Sequence, residues 1–260
     1  MIWSFKAWRQ ERILRRSALP DAIWRTAIAR LPLLRGLSPD ELLRLRELAT
    51  LFLYHKQITP TAGVVLSDQI RLLIAAQACL PILNLGIDWY DGWVAVIIYP
   101  DVFVPEHEYQ DDAGVVHVTR DPMIGESWSH GPVILSASDA ARSGECDGVN
   151  VVIHEFAHKL DMLNGEANGF PPLHPEMGSA DWSRIFTLAY QQFCKQVDNG
   201  EETAIDPYAA ESPAEFFAVL SEVFFVEPTL LRVEYPEVYR LFTAFYRQDP
   251  ASRTELLLEG

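Results

Sequence analysis

A chain of 260 residues, 49% of them hydrophobic, can bury a substantial core without staples, so one large domain or one domain with a small appendage is expected. Its three cysteines, Cys79, Cys146 and Cys194, form neither a Cys-x-x-Cys nor a zinc-knuckle spacing, which fits reduced thiols in a cytoplasmic protein. The net charge of −15 is uneven: the first 50 residues hold ten of the 21 Lys and Arg and only five acids, leaving −20 for the rest. An acidic body excludes direct nucleic-acid binding as the main role, because phosphate contacts need a concentrated basic surface.

The opening MIWSFKAWRQERILRR is broken by charge every three or four residues and lacks the apolar stretch of a secretion signal. It reads as a basic helix laid on its own acidic body, with an acidic lipid surface or an acidic partner as the alternatives. Ser38-Pro39-Asp40-Glu41 is a capping box with proline at the first helical position, followed by the stripe Leu42, Leu43, Leu45 and Leu48. Residues 67–80 open with Ser67-Asp68, stop at Pro81 and are apolar nearly all round, which predicts a buried helix. The longest apolar run, Leu72 to Leu83, contains Gln77 and Pro81 and is too short to span a bilayer.

Short apolar or alternating runs at Trp93–Tyr99, Val115–Thr119 and Pro132–Ser136, separated by Pro, Gly and Asp clusters, predict strands. After Gly148 the pattern turns helical, over roughly 149–163, 180–198, 213–226 and 235–247. Strands followed by a run of helices give an α+β order. Residues 1–60 are expected as a helical N-terminal segment packed on the body, and 61–260 as the main domain.

His154-Glu155-Phe156-Ala157-His158 is a His-Glu-x-x-His pattern. On a helix, residues i and i+4 share a face about 6 Å apart along the axis, so two imidazoles can converge on one ion. Glu155 is rotated by about 100°, beside the ion, where a base for an activated water belongs. An apolar lead, Asn150-Val151-Val152-Ile153, precedes the motif, and Asn164-Gly165 reads as a helix stop. Asp161 lies too far along the axis to join both histidines on the ion; it is expected either behind them, accepting a proton from a ligand imidazole, or as a plain solvent-facing acid at the helix end. Catalytic zinc needs a third protein ligand, for which His174, Glu211, Glu215 and Glu222 are candidates. Glu215 opens an otherwise greasy helix, yet Ser212-Pro213-Ala214-Glu215 is itself a capping box, so Glu215 could merely cap its own helix.

HEFAHKLDMLNG (154–165), YAAESPAEFFAVLSEVFF (208–225) and FYRQDP (245–250) together resemble the Mlc titration factor A family. Those are bacterial cytosolic zinc peptidases with a core related to the anthrax lethal factor catalytic domain. The resemblance is dense over about 90–250 and thin over the first 60 residues. It implies a zincin-like fold, with a small mixed sheet whose edge strand lies beside the active-site helix and a mostly helical C-terminal half. It implies one Zn2+ per chain held by His154, His158 and Glu215, with Glu155 as general base and Tyr208 donating to the oxyanion; Glu222, if not itself a ligand, is expected with Asp161 behind the ligands. In such folds substrate pairs with an edge strand, here Val133, Ile134 and Leu135, and Pro132 suits an edge or a strand start. The implied activity is that of a gluzincin-like metallopeptidase acting on short peptides or exposed termini, as an aminopeptidase would. The family's other implied role is sequestering the glucose-responsive repressor Mlc.

Overall fold

The computed structural model describes residues 2–61, 63–100, 107–110, 116–119, 131–138 and 150–253. Cys146, Gly148 and Val115, each part of a sequence expectation, lie outside the described residues. Three helices open the chain: α1 (Ile2–Arg16), α2 (Asp21–Ile28) and α3 (Pro39–His55). The capping box before α3 forms in full, with Ser38 Oγ accepting from Glu41 N at 3.3 Å and Glu41 Oε2 accepting from Ser38 N at 2.8 Å. Three elements that the sequence pattern did not reveal join the predicted ones: strands β1 (Gln57–Pro60) and β3 (His107–Gln110) and helix α8 (Pro228–Glu234). Strand β1 is only four residues long, and α8 is bounded by prolines.

Helix α4 (Asp68–Cys79) starts on a Ser67 cap and is fully buried from Leu72 onward. It is followed by β2 (Ala95–Tyr99), β3 (His107–Gln110), β4 (Val116–Thr119) and β5 (Val133–Ser136). Strands β1, β2 and β5 form a parallel sheet in that order, while β3 and β4 form a separate antiparallel pair. Val96 faces Val133 and Ile98 faces Leu135 across the β2–β5 ladder, and all four side chains are buried. Among the described residues β5 pairs only with β2, so its other edge carries no strand.

The helical half comprises α5 (Val151–Asp161), α6 (Ser179–Asp198), α7 (Pro213–Val226), α8 and α9 (Pro236–Tyr246). The architecture is α+β. Helix α7 is buried at every position from Ala214 to Phe225 and serves as the central rod, against which α5, α8 and α9 pack. One continuous core runs from Ile13 to Ala251. The N-terminal helices join it through Trp24, Leu45, Leu48 and Phe52, and β1 is built into the sheet. No helix among the described residues is long and apolar enough to cross a membrane.

Phe156, inside the motif helix, is the keystone of one aromatic cluster. Its ring centroid lies 5.2 Å from Tyr90, 5.5 Å from Phe52 and 5.7 Å from Trp93, and its side chain is fully buried. Truncating such a ring costs its transfer energy plus a cavity, so Phe156→Ala is expected to lose about 3–5 kcal/mol in denaturant unfolding. A loss below about 1 kcal/mol would mean that the packing around α5 collapses to fill the gap.

Candidate metal centre

Helix α5 begins with Asn150, whose Oδ1 accepts from Ile153 N at 3.0 Å, the cap that lets the first turn form beneath the motif. Its Nδ2 donates to Gln77 Oε1 at 2.7 Å, and its backbone N donates to Glu222 Oε2 at 2.7 Å. Gln77 in turn donates to Leu73 O at 3.0 Å. The start of the motif helix is thus tied to both α4 and α7 by buried hydrogen bonds.

Four residues on, His154 and His158 lie on one face of α5, with ring centroids 4.8 Å apart. Their Nε2 atoms are 3.1 Å apart. Glu215 Oε2, from the first turn of α7, is 3.0 Å from His154 Nε2 and 3.4 Å from His158 Nε2. Three atoms each about 2.0–2.1 Å from one tetrahedral ion would be spaced by about 3.3 Å, so the triangle has the dimensions of a zinc face. Among the described residues neither oxygen of Glu215 has a hydrogen-bond partner, although the residue is almost fully buried. Buried carboxylate oxygens without aligned donors call for a cation. His154, His158 and Glu215 form the one group of metal-binding geometry found among the described residues.

Glu222, two turns along α7, holds His154 from behind, with Oε1 2.6 Å from His154 Nδ1. A proton kept on Nδ1 by that carboxylate leaves the Nε2 lone pair directed at the centre. Burial opposes a charge on His154, yet Glu215 and Glu222 outweigh it and raise its pKa well above the ordinary value. Burial likewise opposes charge on Glu215, but the two imidazoles draw its pKa down to about 2. The cluster therefore favours one carboxylate and positive charge beside it, which a divalent ion supplies without a proton on either ring.

Ser212 Oγ accepts from Glu215 N at 3.1 Å, so the hydroxyl half of the expected cap forms. The Glu215 side chain completes no capping box and lies instead against the histidines. Of the other ligand candidates, His174 Nε2 donates to Phe245 O at 2.8 Å, and Glu211 is exposed. Asp161 is fully buried, and burial raises its pKa to about 6 despite two backbone donors. Those donors are Asn168 N at 2.8 Å and Gly169 N at 2.7 Å. They hold a turn in which Gly169 has φ +76° and where a Cβ would come within 2.6 Å of Pro213 O. The expected acceptance from a ligand imidazole does not form, since neither Asp161 Oδ1 nor His158 Nδ1 has a hydrogen-bond partner among the described residues; Asp161 instead sets the loop that backs the first residue of α7.

Glu155 and Tyr208 line, with His154, a cleft of about 480 Å³ whose walls include Val151, Val219 and Val223. The ring of Tyr208 lies 6.2 Å from that of His154. It sits on a short 3-10 turn, Pro207–Ala210, whose first amide is held by Asp206. Burial and the nearby Glu215 carboxylate push the phenol well above its usual pKa, so it keeps its proton and remains a donor. Val133 and Leu135 are buried and Ile134 half-buried, which leaves the main chain of β5, rather than those two side chains, at the edge. Lys159 Nζ donates to Gly131 O at 2.9 Å, pinning the entry to β5 against the motif helix. Sequence reasoning gave no role to Gln77, Asn150 or Lys159; the only available signal was a polar residue set inside or against an apolar run.

Metal content and affinity read these roles separately. Glu215→Ala is expected to abolish stoichiometric zinc binding, whereas loss of a helix cap alone would cost only about 1 kcal/mol of stability and leave zinc bound. Glu222→Gln should retain zinc but weaken it by about 10–100-fold in a chelator competition. Unchanged affinity would show that Glu222 does not orient His154.

A family described as glucose-regulated metallo-peptidase M90 matches residues 5–247, so the match takes in the N-terminal segment where the motif resemblance was thin. Mlc titration factor A of Escherichia fergusonii is 42% identical over 248 residues, covering 95% of this chain and 92% of that protein. The protein of the same name from Salmonella arizonae is 42% identical, covering 95% and 97%, and that of Pectobacterium atrosepticum is 43% identical, covering 88% and 87%. The chain belongs to the glucose-regulated metallo-peptidase M90 family.

Proposed function

We propose that the chain is a cytoplasmic zinc peptidase that hydrolyses peptide amides, with one Zn2+ held by His154, His158 and Glu215. The observation that carries this reading is the triangle of three ligand atoms 3.0–3.4 Å apart with Glu155 next in sequence on the same helix. Zinc bound there would lower the pKa of a water and polarise the scissile carbonyl. Glu155, lining the cleft beside His154, takes the proton of the attacking water and delivers it to the departing amine. Tyr208, protonated and half-buried, donates to the oxygen on which negative charge develops. Glu222 and Asp161 act through others: Glu222 fixes the ring of His154, and Asp161 fixes the turn beneath α7.

Among the described residues no strand pairs with the outer edge of β5, which supports a substrate lying extended along Val133, Ile134 and Leu135 by main-chain pairing. The cleft is open to solvent at Asp206 and Glu227, which suits short peptides and exposed termini, including those an aminopeptidase would trim. A second reading is supported by the name of the relatives, Mlc titration factor A, which are 42% identical over nearly the whole chain. In that reading the chain also binds an Mlc-like transcriptional repressor, with peptide hydrolysis a secondary activity.

Glu155→Gln separates hydrolysis from binding. It is expected to keep one equivalent of zinc and lose about 10²–10⁴-fold in peptidase rate, as chelation does for the wild type. Tyr208→Phe should lower kcat by about a hundredfold with KM little changed. Cleavage by Glu155→Gln at the wild-type rate would contradict the catalytic assignment, and zinc-loaded wild type without hydrolysis of any peptide library would favour the binding role.

A further inference from the structure

We propose that the outward face of α1 docks on anionic lipid surfaces, with Phe5 and Trp8 entering the interface and Arg12, Arg15 and Arg16 meeting the headgroups. Helix α1 rests on the body through Ile13, which is buried, and through Lys6, whose Nζ lies 2.8 Å from Asp88 and 3.8 Å from Asp91. At about 100° per residue, Phe5, Trp8, Arg12, Arg15 and Arg16 fall within one arc of about 100° turned away from that seat. All five are exposed.

Phe5 is 67% exposed and Trp8 51% exposed. Rather than folding back onto the core, the two rings stack on each other with centroids 5.8 Å apart. The Arg12 guanidinium lies 5.4 Å above Trp8, and Arg15 pairs with Glu11. An aromatic pair held at the surface beside cations is the composition of an interfacial helix, in which aromatic rings sit at headgroup depth and long arginines reach outward. Arrangement and charge select the partner. Residues 2–16 carry five cations against one acid, while the rest of the chain carries −19. An anionic leaflet therefore attracts α1 and repels the body, which orients the molecule with this face down. The patch is the convex side of a single helix, a shape that a fluid lipid surface accepts without a matching groove. One helix with two inserted rings gives weak, reversible attachment.

Sedimentation of the full chain with vesicles tests this. The vesicles are phosphatidylcholine alone, or phosphatidylcholine with one-third phosphatidylglycerol. At low salt the wild type is expected to partition at least about tenfold more strongly to the anionic vesicles, and high salt should release it. Phe5→Ser with Trp8→Ser, and separately Arg12→Gln with Arg16→Gln, should each lower partitioning about tenfold. Both variants should keep the wild-type thermal midpoint and zinc content, since none of these residues is in the core or the metal centre. That retained zinc makes failure here distinguishable from failure of the peptidase reading. A wild-type chain that stays in the supernatant with anionic vesicles at low salt overturns the proposal, as do variants that sediment like the wild type. Capture by soluble polyglutamate without vesicle binding would assign the face to an acidic protein partner and overturn the lipid assignment.

Discussion

The carboxylate of Glu222 is the interaction on which the centre depends. One oxygen accepts the backbone N–H of Asn150 and the other meets Nδ1 of His154, so a single side chain on α7 fixes both the entry of the motif helix and the rotation of its first imidazole. Without it, an amide would be left unpaired in the interior and the ring free to turn, each a costly defect. Because Glu215 and Glu222 stand seven residues apart on the same face of α7, the helix that brings Glu215 against the imidazoles also holds the ring of His154. The geometry is consequently held by two rigid elements packed through apolar residues rather than by loops.

That arrangement explains why α7 is so hydrophobic. It buries two carboxylates among Phe216, Phe217, Phe224 and Phe225, and buried charge survives only where each is partnered. The wall of aromatic and aliphatic residues keeps α7 from shifting along its axis, and the turn held by Asp161 backs its first residue. Stability and chemistry are therefore linked at the same positions. The residues that locate Glu215 are those that close the core between α5, α6 and α9.

The convergence of His154 and His158 on one helix face was legible in the sequence because residues i and i+4 of a helix share a face. The flanking helices were legible too, since long periodic runs and caps such as Ser67 leave strong local signals. The approach of Glu215 to the two imidazoles was not legible from pattern. Ser38-Pro39-Asp40-Glu41 and Ser212-Pro213-Ala214-Glu215 carry the same capping signature, and in both the serine accepts from the glutamate amide. Only Glu41 returns its carboxylate to the cap. Glu41 sits at a partly exposed helix start, whereas Glu215 faces two imidazoles. The tertiary surroundings decide between the two outcomes, and four residues of sequence do not contain them. The same holds for β1, whose pairing with β2 is set by a partner about 40 residues away, and for Gln77, whose purpose appears only once Asn150 packs against it.

The central claim is that two imidazoles and one carboxylate close on a single ion. X-ray absorption at the zinc edge of the loaded protein tests it most directly. The account predicts two imidazole nitrogens at about 2.0–2.1 Å, with oxygen at similar distance from Glu215 and a water. A shell containing thiolate sulfur at about 2.3 Å, or one lacking imidazole scattering, would contradict it.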